Sequence, residues 1–175
     1  MITILDYSVN NLRSVQKAFE HLGHETRVTR APEDVLSAQK LVLPGVGAFG
    51  EAMKNLHAAG LVEPLQEAVR SGIPVLGVCL GMQLLFESSD ELGSHEGLSL
   101  LHGKVVRFEE KPGMKIPHMG WSELQFPRPS RLFAGLKAGE MCYFVHSYHV
   151  VPKDAGIIAA TGHHGETFVA GIESS

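Results

Sequence analysis

Four strand-like runs, each followed at once by residues at helical spacing, constrain this chain more than any other feature. ITIL (2–5), ETRVT (25–29), KLVLPG (40–45) and PVLGVC (74–79) read as strands. A helix opens near Asn10 or Asn11, either of which could cap it, and runs through Leu12, Val15, Phe19 and Leu22 to a stop at Gly23. A short helix starts at Pro32, another carries Ala52, Met53, Leu56 and Ala59, and a third runs from Pro64 to Ser71. LGMQLLFE (80–87) reads as one more helix. KLVLPG is apolar and PVLGVC is too apolar for a wet face, so the alternation predicts parallel strands buried on both faces, with helices on both sides.

From about residue 98 the pattern changes. SLLHGKVVRF (99–108), MCYFVHSYHVV (141–151), GIIAATG (156–162) and TFVAGIE (167–173) read as strands joined by loops, expected to add antiparallel strands and returns to the central sheet. Residues 110–130 read as a long, proline-bearing, irregular loop of the kind that is often functional. No repeat or linker divides the chain, so one α/β domain is expected over residues 1–175.

A hydrophobic share of 44% against 19% charged residues supports a core and argues against disorder. The net charge of -4 leaves no basic footprint for nucleic acid. No apolar run is long enough to span a membrane, and the N-terminus reads as a strand and not as a signal peptide. Cys79 and Cys142 have no C-x-x-C spacing, so neither a disulfide framework nor a zinc site is expected. A cytoplasmic, reduced-thiol setting follows as the expectation, with no metal and no cofactor.

The corner Gly77-Val78-Cys79-Leu80-Gly81 has the form of a nucleophile elbow. A strand turning sharply into a helix forces its central residue into a strained conformation and leaves no room for side chains two positions away. The turn sets the sulfur at a helix N-terminus, where backbone N–H groups stabilise negative charge, and aims the Leu80 N–H at an oxyanion. Taken alone, the motif fits a buried cysteine between glycines equally well; its place between strand and helix favours the nucleophile. Pro44-Gly45-Val46-Gly47 also leaves an apolar strand, and its two glycines would let one of its peptides rotate and supply a second oxyanion donor, with Val46 and Gly47 as the candidate residues. It also fits a plain strand-to-helix turn. Gln83 and Glu87, four and eight residues after Cys79, would share its helix face and hold the polar end of a small substrate, or stand as ordinary solvated positions. Cys142 reads as a packed core thiol. A thiolate needs a histidine base, and spacing singles out none among His118, His146, His149, His163 and His164.

GVCLGMQLLFE resembles the nucleophile segment of the triad-type (class I) glutamine amidotransferases. DYSVNNLRSV (6–15), LPGVGAFG (43–50), PHMGWSE (117–123) and YFVHSYHV (143–150) resemble one branch of that family, the glutaminase subunits of imidazole glycerol phosphate synthases. The resemblance implies a flavodoxin-like fold and a γ-glutamyl thioester on Cys79. It also implies release of ammonia to a partner cyclase subunit with a (β/α)8 barrel, in a heterodimer that serves histidine biosynthesis. By the same resemblance, Gly47, Gln83 and the His146-Ser147-Tyr148 segment would contact glutamine. Asn10, Asn11, His118, Met119, Trp121 and Tyr143 would lie at the cyclase interface and ammonia passage. Two departures stand out. Ser8 and Asn10 replace the usual glycines of the first motif. No His-Pro-Glu, the segment carrying the family's catalytic histidine and glutamate, occurs in residues 1–175, so the domain is expected to lack the family's C-terminal segment. That departure motivates a second reading, a non-catalytic docking or regulatory subunit. A thiol hydrolase or redox sensor is a third, and it leaves PHMGWSE unexplained.

Overall fold

The computed structural model describes residues 1–8 and 11–174. The chain divides into two compact units, Met1–Leu101 and His102–Ser175. The first runs β1 (Ile2–Leu5), α1 (Leu12–His21), β2 (Thr26–Thr29), α2 (Pro32–Leu36), β3 (Leu41–Leu43), α3 (Phe49–Ala58), α4 (Val62–Arg70), β4 (Val75–Gly77), α5 (Leu80–Leu84), β5 (Phe86–Ser89) and β6 (His95–Glu96). β1 to β4 form a parallel sheet in the order β2-β1-β3-β4. The expected alternation of strand and helix therefore builds the expected sheet.

Burial on both faces holds only for the inner strands. Ile4, Leu5, Leu41, Val42 and Leu43 of β1 and β3 are buried, whereas β4 is half-buried throughout and β2 exposes Arg27 and Val28. Among the described residues β2 and β4 are the edges of this sheet, so each has a neighbour on one side only. α3 and α4 bury Phe49, Leu56, Leu65 and Ala68, and Glu91 accepts the Phe49 N–H at 2.7 Å, closing the first turn of α3.

Two local expectations give way. Asn11 does not cap α1 through its side chain; it sits in the left-handed region (φ 70°) with no side-chain hydrogen bond to the helix. Asn10 lies outside the described residues. The helix expected over 80–87 ends at Leu84, and Phe86 and Glu87 enter β5. A buried apolar run such as LLF suits helix or strand alike. Pairing of Ser88 with Glu96, and the bonds from Leu98 N–H to the Leu84 carbonyl and from Leu101 N–H to the Leu85 carbonyl (both 2.9 Å), decide for the strand.

The turn from β4 into α5 is packed backbone against backbone. A Cβ on Gly81 would lie 1.8 Å from the Leu43 carbonyl oxygen, and one on Gly77 would lie 2.7 Å from the Gly81 oxygen and from Met82 N. Neither position has space for a side chain.

The second unit is antiparallel: β7 (Leu101–Arg107), β8 (His118–Glu123), β9 (Met141–His146), β10 (Tyr148–Pro152), a 3-10 turn (Ala155–Ile157), β11 (Ile158–His163) and β12 (Thr167–Ile172). β10 pairs with β7, β8 with β9 and β11 with β12, all antiparallel, and among the described residues none of them joins the parallel sheet β2-β1-β3-β4. The strand expected over 141–151 breaks at Ser147, because its two halves serve different partners, β8 and β7. The stretch expected as irregular contains β8. Its alternation is inverted: His118 and Ser122 are buried while Met119 and Trp121 are exposed, so no ordinary strand pattern appears.

Behind β8 lies a ring cluster. The His118 ring stacks on that of His164 at 4.1 Å, and Phe144, Phe168 and His146 lie within 5.7 Å of it. The Ser122 hydroxyl donates to the His163 carbonyl at 3.1 Å, so His118 Nε2, 2.9 Å from that hydroxyl, is the donor to it. Burial, then the charges of His164 and His146, push His118 down to about 4. Burial also lowers His146 and His149. No described helix is long and apolar enough to cross a membrane, and no described group of three or more His, Cys, Asp or Glu could hold a metal ion.

Two outcomes follow. Gly81→Ala should cost at least about 2–3 kcal/mol, because the colliding atom is backbone and cannot step aside; urea denaturation measures this. Stability should also fall as pH drops from about 6.5 toward 4, since His118 is protonated in the unfolded chain there and neutral in the fold. The slope of unfolding midpoint against pH should be shallower in His118→Asn.

Candidate active site

β4 delivers Cys79 to the carboxyl edge of the parallel sheet, and α5 starts at the next residue. Cys79 has φ 56° and ψ -117°, a conformation that costs a non-glycine residue about 1–3 kcal/mol. Surrounding bonds impose it. Val78 N–H donates to the Leu43 carbonyl at 2.9 Å, and Gly81 and Met82 N–H donate to the Val78 and Cys79 carbonyls at 3.0 Å. The strained turn leaves the thiol exposed, so Cys79 is not the buried cysteine between glycines. Leu80, the first residue of α5, has its side chain buried, and its N–H has no acceptor within the helix by position.

The loop after β3 flanks this elbow. A Cβ on Gly45 would come within 2.9 Å of Gly81 N, Leu80 Cβ and Tyr7 Oη, so Gly45 is pressed against the turn. Val46 is exposed, and Gly47 has φ 101° with no atom within 4 Å of its would-be Cβ. Glycine is needed at 45 for space and at 47 for backbone freedom. The structure thus brings Cys79, Leu80, Val46 and Gly47 into one corner. Gln83 sits on α5; Glu87 lies on β5, so the shared helix face expected for the pair does not exist.

Asn11, also singled out in the sequence, belongs to the first unit, and His118, Met119, Trp121, Tyr143, His146, Ser147 and Tyr148 belong to the second. Ser147 joins β9 to β10, its carbonyl accepting the Phe108 N–H at 3.0 Å, and His146 Nδ1 donates to the Tyr148 carbonyl at 2.9 Å. Met119, Trp121, Tyr143 and Val145 share the exposed face of the β8–β9 ladder, in register Met119↔Val145 and Trp121↔Tyr143. The Trp121 and Tyr143 rings meet edge to face at 5.5 Å. His118 points to the opposite, buried side. Sequence reading passed over Tyr7, which is 1% exposed and donates its hydroxyl to the Pro44 carbonyl. Its place directly after β1, at the ligand-binding edge of a parallel sheet, was the available signal.

Comparison with known proteins shows the family. The sequence model of the family "Glutamine amidotransferase class-I" matches residues 3–175. The chain is 53% identical to the imidazole glycerol phosphate synthase subunit HisH of Syntrophotalea carbinolica, across 98% of this chain and 86% of that protein. It is 48% identical to the HisH subunit of Aquifex aeolicus, across 97% of this chain and 82% of that protein. Among solved structures, a glutamine amidotransferase superposes with a TM-score of 0.71 at 18% identity, over 94% of this chain and 85% of that one. The glutaminase domain of Trypanosoma brucei CTPS with bound acivicin superposes at 0.61 and 17% identity, over 96% and 78%. Both structural likenesses speak to the fold alone. With a strained cysteine at the strand–helix turn, a glycine loop pressed beside it and these relatives, the chain belongs to the class I glutamine amidotransferase family, in its HisH branch.

Proposed function

We propose that this chain is the glutaminase subunit of an imidazole glycerol phosphate synthase, hydrolysing glutamine and passing ammonia to a cyclase partner. The carrying observation is Cys79, exposed at φ 56° in a turn that glycines make possible. The sulfur attacks the carboxamide carbon of glutamine, and the carbonyl oxygen takes the negative charge. The Leu80 N–H faces that charge, and rotation at Val46–Gly47 brings in a second donor. Collapse breaks the C–N bond, the nitrogen takes up the proton that the thiol gave up on attack and leaves as ammonia, and a γ-glutamyl thioester remains. Water then splits the thioester to glutamate and frees the thiol. A loop that must rotate before it can donate explains why turnover would wait for the partner.

The face of Met119, Trp121, Tyr143 and Val145 suits that partner. All four side chains are exposed, and Met141 beside them is exposed as well. An apolar patch of this kind on a rigid two-stranded ladder is the usual mark of a protein-binding surface. His118, behind the ladder, supports the face and does not form part of it.

The cyclase is a (β/α)8 barrel in this reading, and ammonia reacts there with a phosphoribulosyl formimino nucleotide. A docking subunit without chemistry is the competing reading. In the assembled complex, Cys79→Ala should abolish glutamate release from glutamine while leaving cyclase binding intact. Glutamate release by the Cys79→Ala complex, or none by the unaltered one, removes the glutaminase reading. Trp121→Ala should weaken cyclase binding at least about tenfold in titration calorimetry with the thermal midpoint of the free subunit unchanged.

A further inference from the structure

Tyr7 has no part in the chemistry above, yet it is among the most completely buried side chains and touches the oxyanion loop. Its hydroxyl donates to the carbonyl of Pro44. The same oxygen, Leu80 Cβ and Gly81 N all lie 2.9 Å from the point where a Gly45 Cβ would stand, so phenol, loop and elbow converge on one spot. We propose that Tyr7 is a positioning residue for glutamine hydrolysis: its O–H holds the root of loop 44–47 against the elbow and confines rotation to the peptides beyond Gly45.

The carbonyl and N–H of one trans peptide point in opposite directions, so capturing the Pro44 oxygen also fixes the direction of the Gly45 N–H. The root then has no room and no freedom. The tip has both, because Val46 is exposed and the would-be Cβ of Gly47 meets nothing within 4 Å. Without the phenol the whole loop could swing, and the second donor would be spread over many positions.

Tyr7 is itself held. Asp6 N–H donates to the Thr29 carbonyl at 2.8 Å, Asp6 Oδ1 accepts the Ser8 N–H at 3.0 Å, and Asp6 Oδ2 pairs with Arg30 at 2.7 Å. Burial first, and then negative charge on Cys79, push the ionisation of the phenol far above the usual tyrosine range, so the hydroxyl stays a donor.

The inference rests on the glutaminase reading, and one set of assays separates the two. In the full-length protein assembled with its cyclase, Tyr7→Phe should lower kcat for glutamine hydrolysis about tenfold, with KM for glutamine within about twofold. The rate of Cys79 alkylation by iodoacetamide should stay unchanged, since the lost hydrogen bond goes to the Pro44 carbonyl and not to an atom of the elbow. Replacing Tyr7 by 4-aminophenylalanine, which can donate, should restore kcat, whereas the similarly sized 4-methylphenylalanine should not. That pair decides the matter if the Phe variant fails to fold. Equal kcat per titrated thiol in donor and non-donor variants overturns the role of Tyr7 and leaves the glutaminase reading standing. Glutamate release by Cys79→Ala overturns the glutaminase reading instead.

Discussion

One backbone contact carries the first unit: Gly81 lying against the Leu43 carbonyl oxygen, which also accepts the Val78 N–H at 2.9 Å. That oxygen ends β3 and begins the loop 44–47. Pinning α5 to it sets the strand end, the loop and the thiol within one corner. It also leaves Val78, Cys79 and Leu80 no ordinary route from strand to helix, so Cys79 takes a conformation that only its neighbours stabilise. Exposure of the thiol here is a consequence of packing. Sulfur is exposed because the backbone beneath it is too close to bury it.

The second unit has the opposite problem, polar rings buried among its phenylalanines while other large apolar side chains stay outside. Burying His118 and His146 costs solvation, which the serine hydroxyl and the Tyr148 carbonyl offset in part. With imidazoles turned inward, the strand parity of β8 and β9 sends Met119, Trp121, Tyr143 and Val145 outward. A side-chain period of two leaves no third choice. The inverted core and the exposed apolar face are therefore one feature seen from two sides, and the face gains a use in the proposed cyclase contact.

Much of this was readable in the chain. Strand–helix alternation predicted the parallel sheet, and the spacing Gly77, Cys79, Gly81 predicted the elbow, because both depend on local sterics. Where long-range pairing decides, reading failed. LLFE suited a helix until the backbone around residues 95–101 claimed residues 84–87, and with that change Glu87 left the face of Gln83. PHMGWSE looked irregular because its polar residues are the buried ones. YFVHSYHV looked continuous because nothing in it announces that its halves serve different strands. Asn11 looked like a cap by residue type, yet it adopts a left-handed conformation and makes no cap.

By itself, then, the sequence determined the parallel sheet, the strained strand-to-helix corner at Cys79 and the glycines of the loop beside it. Glycine spacing and apolar runs act over a few residues and have few physical solutions. Only the tertiary structure decided that Gly45 is immovable while Gly47 is free, that Tyr7 grips the loop, and that His118 faces inward while Trp121 faces out. Each of those depends on atoms tens of residues away, whose approach no local pattern encodes.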